Sequence, residues 1–75
     1  MKTTFWQAEA YKSGQLISRD FERCESKWEA VADAEAYLHG LGDFDRRHNT
    51  AGVCEWTVDA EGNLENTGNY EEVTI

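Results

Sequence analysis

Apolar and polar positions alternate along residues 3–12 in the way that a β-strand requires, with Trp6 on one face and Tyr11 on the other. A turn follows at residues 12–15, Lys-Ser-Gly-Gln, where glycine can adopt a positive φ angle. Residues 16–23 alternate again and read as a second strand. Two adjacent strands joined by a short turn predict an antiparallel hairpin.

The clearest local signal is a helix start at residues 26–29, Ser-Lys-Trp-Glu. This pattern matches the capping box, in which the hydroxyl of Ser26 accepts a hydrogen bond from the N–H of Glu29 and the carboxylate reaches back. An alanine-rich run continues the helix, and Gly40 and Gly42 are predicted to end it. At 100° per residue one face collects small and apolar side chains, with Trp28 at its margin: Ala30, Val31, Ala34, Tyr37, Leu38 and Leu41.

The second half of the chain predicts another hairpin. Residues 43–49 are polar and predict a loop, after which residues 50–60 alternate as a strand. Residues 59–63 have a turn composition. Residues 63–75 return as a last strand, interrupted near Gly68.

These elements predict one α+β domain over residues 1–75, in the order β-β-α-β-β. The economical architecture is a four-stranded, mainly antiparallel sheet with one helix packed on one face. A chain of 75 residues buries only about 60% of the surface that it exposes when unfolded, which leaves little room for a deep substrate cleft. This size favours a binding protein over an enzyme.

The formal net charge is −8, and its distribution is uneven. Residues 1–28 hold five basic and four acidic groups, whereas residues 29–75 hold two basic and eleven acidic groups, a net of −9. Such a field favours basic partners, because spaced carboxylates can imitate a phosphate backbone, although solubility alone would also account for it. The residues predicted to bind a basic, nucleic-acid-binding partner are Glu29, Asp33, Asp43, Asp45, Asp59, Glu61, Glu65, Glu71 and Glu72.

Catalytic and metal-binding patterns are weak. Cys24 with His39 or His48 could be drawn as a nucleophile and base, and the same residues with Cys54 as four zinc ligands, but no two of them form a close-spaced pair. Two buried thiols and two surface imidazoles explain them better. Residues 59–65 lack the register of a calcium loop. We therefore predict no catalytic residue, no metal site and no cofactor.

Membrane and nucleic-acid signals are also weak. The chain has no apolar run of about 18 residues, and its N-terminus does not resemble a secretion signal, so the expected location is cytoplasmic. The basic island at residues 46–48, Arg-Arg-His, is expected to pair with Asp43 and Asp45. It is too small to predict direct nucleic-acid binding.

Two short runs carry a family resemblance: residues 18–21, Ser-Arg-Asp-Phe, and the helix end at residues 37–41, Tyr-Leu-His-Gly-Leu. Together with the short length, the absence of proline, the acidic balance and the hairpin–helix–hairpin order, they make the chain resemble the anti-CRISPR proteins of bacteriophages. The resemblance implies inhibition by occlusion. The protein would bind a subunit of a CRISPR–Cas effector in the host bacterial cytoplasm and block access of DNA or guide.

A second hypothesis starts from the uncovered face of the predicted sheet. The strands carry several aromatic residues, and most should be core, but any that face outward would be anchors for a protein interface. The chain would then be a small protein-interaction module or a homodimer without nucleic-acid mimicry. The aromatic residues concerned are Trp6, Tyr11, Trp56 and Tyr70.

Overall fold

A computed structural model describes residues 2–75. The elements in chain order are β1 (Thr3–Lys12), β2 (Gln15–Ser18), α1 (Lys27–His39), α2 (Asp43–His48), β3 (Asn49–Val58) and β4 (Leu64–Val73). The strands form one antiparallel sheet in the order β2-β1-β3-β4, with α1 packed on one face. The predicted α+β fold, with its four-stranded antiparallel sheet and its packed helix, is therefore confirmed.

The first hairpin is shorter than its alternating pattern predicts. The strand β2 ends at Ser18, so the prediction of a continuous strand through residue 23 is wrong. The chain leaves the ladder and returns at Cys24, which exchanges two backbone hydrogen bonds of 2.8 Å with Trp6. Between these points Phe21 packs edge-on against Tyr37 of α1, with ring centroids 5.7 Å apart. Contact with the helix, and not a sheet face, explains the apolar residue there.

The helix α1 begins after Ser26 as predicted, but in the part of the chain that the structure describes only one of the two capping-box hydrogen bonds is present. The hydroxyl of Ser26 accepts a hydrogen bond of 3.3 Å from the N–H of Glu29. Small side chains let the helix lie close to the sheet, since alanine adds little bulk between two backbones. Trp28 falls outside this contact and is 74% exposed. The buried core unites Ala30, Ala34 and Leu38 of α1 with Ala8, Cys24, Ala51, Val53 and Val73.

A short helix, α2, replaces the loop predicted for residues 43–49, and that prediction is wrong. Two acidic residues occupy its first turn and Arg46, Arg47 and His48 its last turn, an order that complements the helix dipole. The N–H of Arg46 donates to the carbonyl of Gly42 at 2.9 Å. None of its six residues is buried, so α2 lacks the apolar period that identifies a helix in a sequence.

The second hairpin carries its interruption inside one strand. The strand β4 continues through Gly68, whose φ angle of +90° accompanies a register shift opposite Cys54 and Trp56. Between the partners of Cys54 and Trp56, β4 holds three residues, 67–69, where β3 holds one, so β4 bulges out by two residues and the ladder is locally disrupted. Because β4 is the outer strand of the sheet, nearly all of its residues are exposed.

Candidate functional site

The face of the sheet opposite α1, which we call the open face, is built by every second residue of the strands. Ala8, Ala51 and Val53 point to the helix, so their neighbours point away from it. Residues paired across antiparallel strands share a face. The pairs between β1 and β3 on the open face are Phe5 with Trp56, Gln7 with Cys54, Glu9 with Gly52, and Tyr11 with Thr50.

A buried carboxylate lies at the centre of the open face. Glu9 is only 2% exposed, and its carboxylate accepts hydrogen bonds from the Tyr11 hydroxyl and, at 2.9 Å, from Nε of Arg19. Burial and the bond to Glu9 raise the pKa of the Tyr11 phenol well above its ordinary value. These partners are necessary because a buried charge without them is very unfavourable. The sequence pattern places Glu9 on this face but does not reveal its burial.

Arginine side chains cover two aromatic rings of the open face. The guanidinium carbon of Arg19 lies 5.6 Å from the centroid of the Trp56 ring, and that of Arg23 lies 4.7 Å from the centroid of Phe5. Both distances are within the range of a cation–π interaction. The segment that follows β2 thus places its two arginine side chains over the open face.

Next to the hydrogen-bonded Glu9 and Tyr11 lies a groove that spans three strands. Tyr70 of β4 reaches across β3 over Gly52, and its ring meets the ring of Tyr11 edge-on at a centroid distance of 6.4 Å. A glycine inside an alternating strand is a sequence signal for such close approach, although it does not identify the approaching group. We call this feature the tyrosine groove, and it is lined by Tyr11, Gly14, Thr50, Tyr70 and Glu72.

The surroundings of the tyrosine groove are negative. Burial raises the pKa of the Tyr70 phenol, and the nearby Glu72, Cys54 and Glu9 raise it further. The negative charge of the Glu72 carboxylate disfavours a phenolate and, for the same reason, favours a cation beside it. Of the groove residues, Glu72 alone was among the acidic positions that the sequence predicts to bind a partner.

The two cysteines are free and buried, as expected from the sequence. Burial raises the pKa of each thiol to about 11, helped at Cys24 by a 3.5 Å hydrogen bond to Asp33 and at Cys54 by the charge of Glu9. Both thiols are therefore protonated near neutral pH and pack as small side chains. Within residues 2–75, no three His, Cys, Asp or Glu side chains converge on a common point that could hold a metal ion.

The predicted acidic residues of the helices are not among the residues that line the tyrosine groove. Glu29 is exposed in the first turn of α1, and Asp33 accepts the hydrogen bond from the Cys24 thiol one turn later. Asp43 and Asp45 are exposed in the first turn of α2. Within residues 2–75 no ion pair joins the basic island to Asp43 or Asp45, so that predicted pairing is wrong. The guanidinium of Arg46 instead donates to the carbonyl of Leu41 at 3.0 Å.

Acidic residues of the second hairpin have unequal roles. The carboxylate of Asp59 accepts the backbone N–H groups of Glu61 and Asn63, both at 2.9 Å, and so builds the turn. The bonds from Asn63, followed by that from Glu61, lower the pKa of Asp59. Glu61 lies exposed at the tip of the same turn.

The basic groups of residues 1–28 reduce the charge asymmetry seen in the sequence. Lys2 pairs with Glu65 at 3.2 Å and Lys27 pairs with Glu71 at 3.0 Å. The nine predicted carboxylates also do not form one cluster. They are distributed over both helices, the hairpin turn and β4 of a molecule whose longest dimension is 44 Å.

Neither helix in residues 2–75 is long and apolar enough to cross a membrane. Comparison of the chain with protein-family profiles, curated proteins and solved structures finds no match.

Proposed function

We propose that this protein is a binding inhibitor whose acidic surface docks on a basic, nucleic-acid-binding protein and occludes its nucleic-acid site. The observation that carries the proposal is the unbalanced charge: the chain holds 15 acidic groups, and three ion pairs neutralise carboxylates within residues 2–75. A surface of this kind attracts basic surfaces and repels nucleic acid. The role requires no catalytic residue, metal or cofactor.

The dimensions favour partial occlusion over replacement of a whole duplex. A DNA duplex as long as the 44 Å molecule carries about 26 phosphates, because one charge occurs per about 1.7 Å of helix axis. The protein offers 15 carboxylates over that length, several of them already bonded. It would therefore cover the part of a groove where a partner's lysine and arginine side chains are densest.

The partner class that we propose is a subunit of a CRISPR–Cas effector, with binding in the bacterial cytoplasm. Support comes from the resemblance to anti-CRISPR proteins in size, acidity and the runs at residues 18–21 and 37–41. Such effectors hold nucleic acid in positively charged channels, which an acidic protein can enter. The protein would act as a partial DNA mimic in that channel.

The decisive experiment measures target-DNA binding by purified effector complexes with increasing amounts of this protein. We expect one effector type to lose DNA binding, and the inhibition to weaken between about 50 mM and about 500 mM salt because screening shortens the range of charge attraction. Failure to inhibit DNA binding by any effector type would reject the CRISPR assignment.

Charge reversal then tests the surface. The double change Glu61→Lys with Glu65→Lys should weaken inhibition by about tenfold, because each reversal replaces attraction by repulsion. Asp59 is left intact since it builds the turn. The matched control is Glu22→Lys with Glu25→Lys, which changes the net charge equally at exposed positions of the nearly neutral segment. Equal weakening by both pairs would contradict a role for the acidic hairpin.

A second candidate is an interaction module that uses the open face as an apolar interface, with itself or with another protein. It is favoured by the exposure of Leu16 and Tyr70, which are 42% and 50% exposed on that face. Association of this kind would be insensitive to salt. Light scattering at low and high salt separates the two functions, because charge-driven docking weakens with salt and apolar docking does not.

A further inference from the structure

We infer that the tyrosine groove binds an arginine side chain of the basic partner, with the guanidinium stacked on Tyr70 and hydrogen-bonded to Glu72. The inference rests on the proposed function, since it names the contact by which a basic partner would be anchored. It deepens that function from diffuse charge attraction to a specific site.

The open face already shows how it binds guanidinium groups. Arg19 lies over the Trp56 ring and donates to the carboxylate of Glu9. The aromatic ring and the carboxylate together satisfy both the flat face and the N–H edge of the guanidinium. Arg23 covers Phe5 on the same face.

The tyrosine groove has the same combination of an aromatic ring and a carboxylate. Within residues 2–75, no arginine or lysine side chain occupies it. The ring of Tyr70 is paired with the carboxylate of Glu72, two residues along the same strand and on the same face. Within residues 2–75, the cation–π contacts and ion pairs fall on other rings and other carboxylates. Glu72 therefore contributes a charge that Glu9, already bonded to Arg19, does not.

Two contacts within the protein position the ring of Tyr70. The missing side chain of Gly52 makes space for the ring, and the edge-on contact with Tyr11 holds it from the other side. The Tyr11 hydroxyl is in turn bonded to Glu9. A ring held in this way loses little conformational entropy when a guanidinium stacks on it, which favours binding.

Arginine fits the groove better than lysine does. Its planar guanidinium can stack on an aromatic ring while two N–H groups in the same plane reach a carboxylate, whereas an ammonium group is a compact and strongly hydrated charge. The hydroxyl of Thr50 at the groove wall offers a further acceptor. The phosphate group of a nucleotide or of any other ligand would instead be repelled by Glu72.

The test uses a short labelled peptide of alternating arginine and glycine, with counterparts that carry lysine or neutral citrulline in place of arginine. Dissociation constants are measured by fluorescence anisotropy at low salt, and backbone amide shifts by NMR. We expect the arginine peptide to bind most tightly and to shift the amides of Gly14, Thr50 and Glu72. The citrulline peptide should not bind, because it keeps the shape and loses the charge.

Variants locate the contact. Glu72→Gln and Glu61→Gln each remove one exposed negative charge, but only the first lies in the groove. We expect Glu72→Gln to weaken binding of the arginine peptide about two- to fivefold more than Glu61→Gln does. Tyr70→Leu should weaken the same peptide about two- to fivefold, with a smaller effect on the lysine peptide.

The outcomes separate the two proposals. If the arginine peptide binds, but equal weakening by Glu72→Gln and Glu61→Gln shows binding by diffuse charge, the groove inference is wrong and the acidic docking function stands. If neither cationic peptide binds at low salt, the docking function fails and the inference fails with it. Amide shifts in the unmodified protein decide the matter even if Tyr70→Leu does not fold.

Discussion

Tyr70 lies directly over Gly52, so closely that a Cβ atom at residue 52 would stand 2.5 Å from Cζ of the tyrosine. The close approach of the ring, and not the backbone angles of residue 52, therefore favours glycine at this position. The relationship joins β4 to β3 by a side chain where the outer strand has few buried residues. It also sets the height of Tyr70 above the sheet and hence the shape of the tyrosine groove.

Gly52→Ala should force Tyr70 off the sheet, because the new methyl group and the ring cannot occupy the same space. We expect a loss of about 1–3 kcal/mol in the free energy of unfolding, measured by urea denaturation. The matched control is Gly42→Ala, where a Cβ meets no atom within 4 Å. An unfolding free energy of Gly52→Ala equal to that of the unmodified protein would show that Tyr70 moves aside without cost.

Removal of Arg19 should be destabilising because it leaves the carboxylate of Glu9 buried with one partner fewer. We expect Arg19→Ala to lower the free energy of unfolding by about 1–3 kcal/mol, a range that allows for the half-exposed arginine. In the double variant Arg19→Ala with Glu9→Gln, part of the loss should be recovered, since the uncompensated charge is gone. Arg47→Ala is the control. Equal losses in the single and double variants would argue that Arg19 acts by packing on Trp56 alone.

Local signals in the sequence predicted local structure well. The N-cap at Ser26 and the small-residue face of α1 are set by neighbours within four positions, and both are confirmed, although the return bond from the Glu29 carboxylate is not found within residues 2–75. The end of β2 was mispredicted because Phe21 packs against Tyr37 of the helix, a partner distant in sequence. Helix α2 was missed since charge order, without an apolar face, supplies the only signal for it.

The candidate site depends on contacts between strands, which a single sequence does not specify. Glu9 and Tyr11 lie on the same face of β1 as predicted. The partner that compensates the buried carboxylate of Glu9, however, is an arginine ten positions away. Nothing local to Tyr70 indicates that it crosses a neighbouring strand. The charge of the second half was visible in the sequence, whereas its partial neutralisation by Lys2 and Lys27 required the fold.

Asp59 should prove to be a structural residue of the turn between β3 and β4. Its carboxylate accepts two backbone N–H groups, so Asp59→Ala should speed hydrogen exchange at the amides of Glu61 and Asn63. The pKa of Asp59 is lowered in the folded protein. The two amides should therefore be protected from hydrogen exchange above the ordinary pKa of an aspartate, and this protection should be lost as pH falls through the lowered pKa. Glu65→Ala, outside the turn, should leave these amides unchanged. Unchanged exchange in Asp59→Ala would refute the role.

The buried thiols make stability sensitive to alkaline pH. The pKa of Cys24 and of Cys54 is raised from 9.0 to about 11 in the folded protein, so the unfolded chain loses these protons first as pH rises. The stability that the two protonated thiols contribute is fully present below pH 9. It is lost as pH rises from 9 to 11, at about 1.4 kcal/mol of unfolding free energy per pH unit for each thiol.

Urea denaturation of the unmodified protein and of the variant Cys24→Ala with Cys54→Ala, at pH 8 and at pH 10, measures this loss. Tyr11 and Tyr70, whose pKa values are also raised, titrate in both proteins, so the difference between the two isolates the thiols. We expect the variant to start less stable at pH 8, because it loses buried sulfur, and to lose less stability on going to pH 10. Parallel losses in the two proteins would show that the thiols ionise as readily in the folded chain as in the unfolded one.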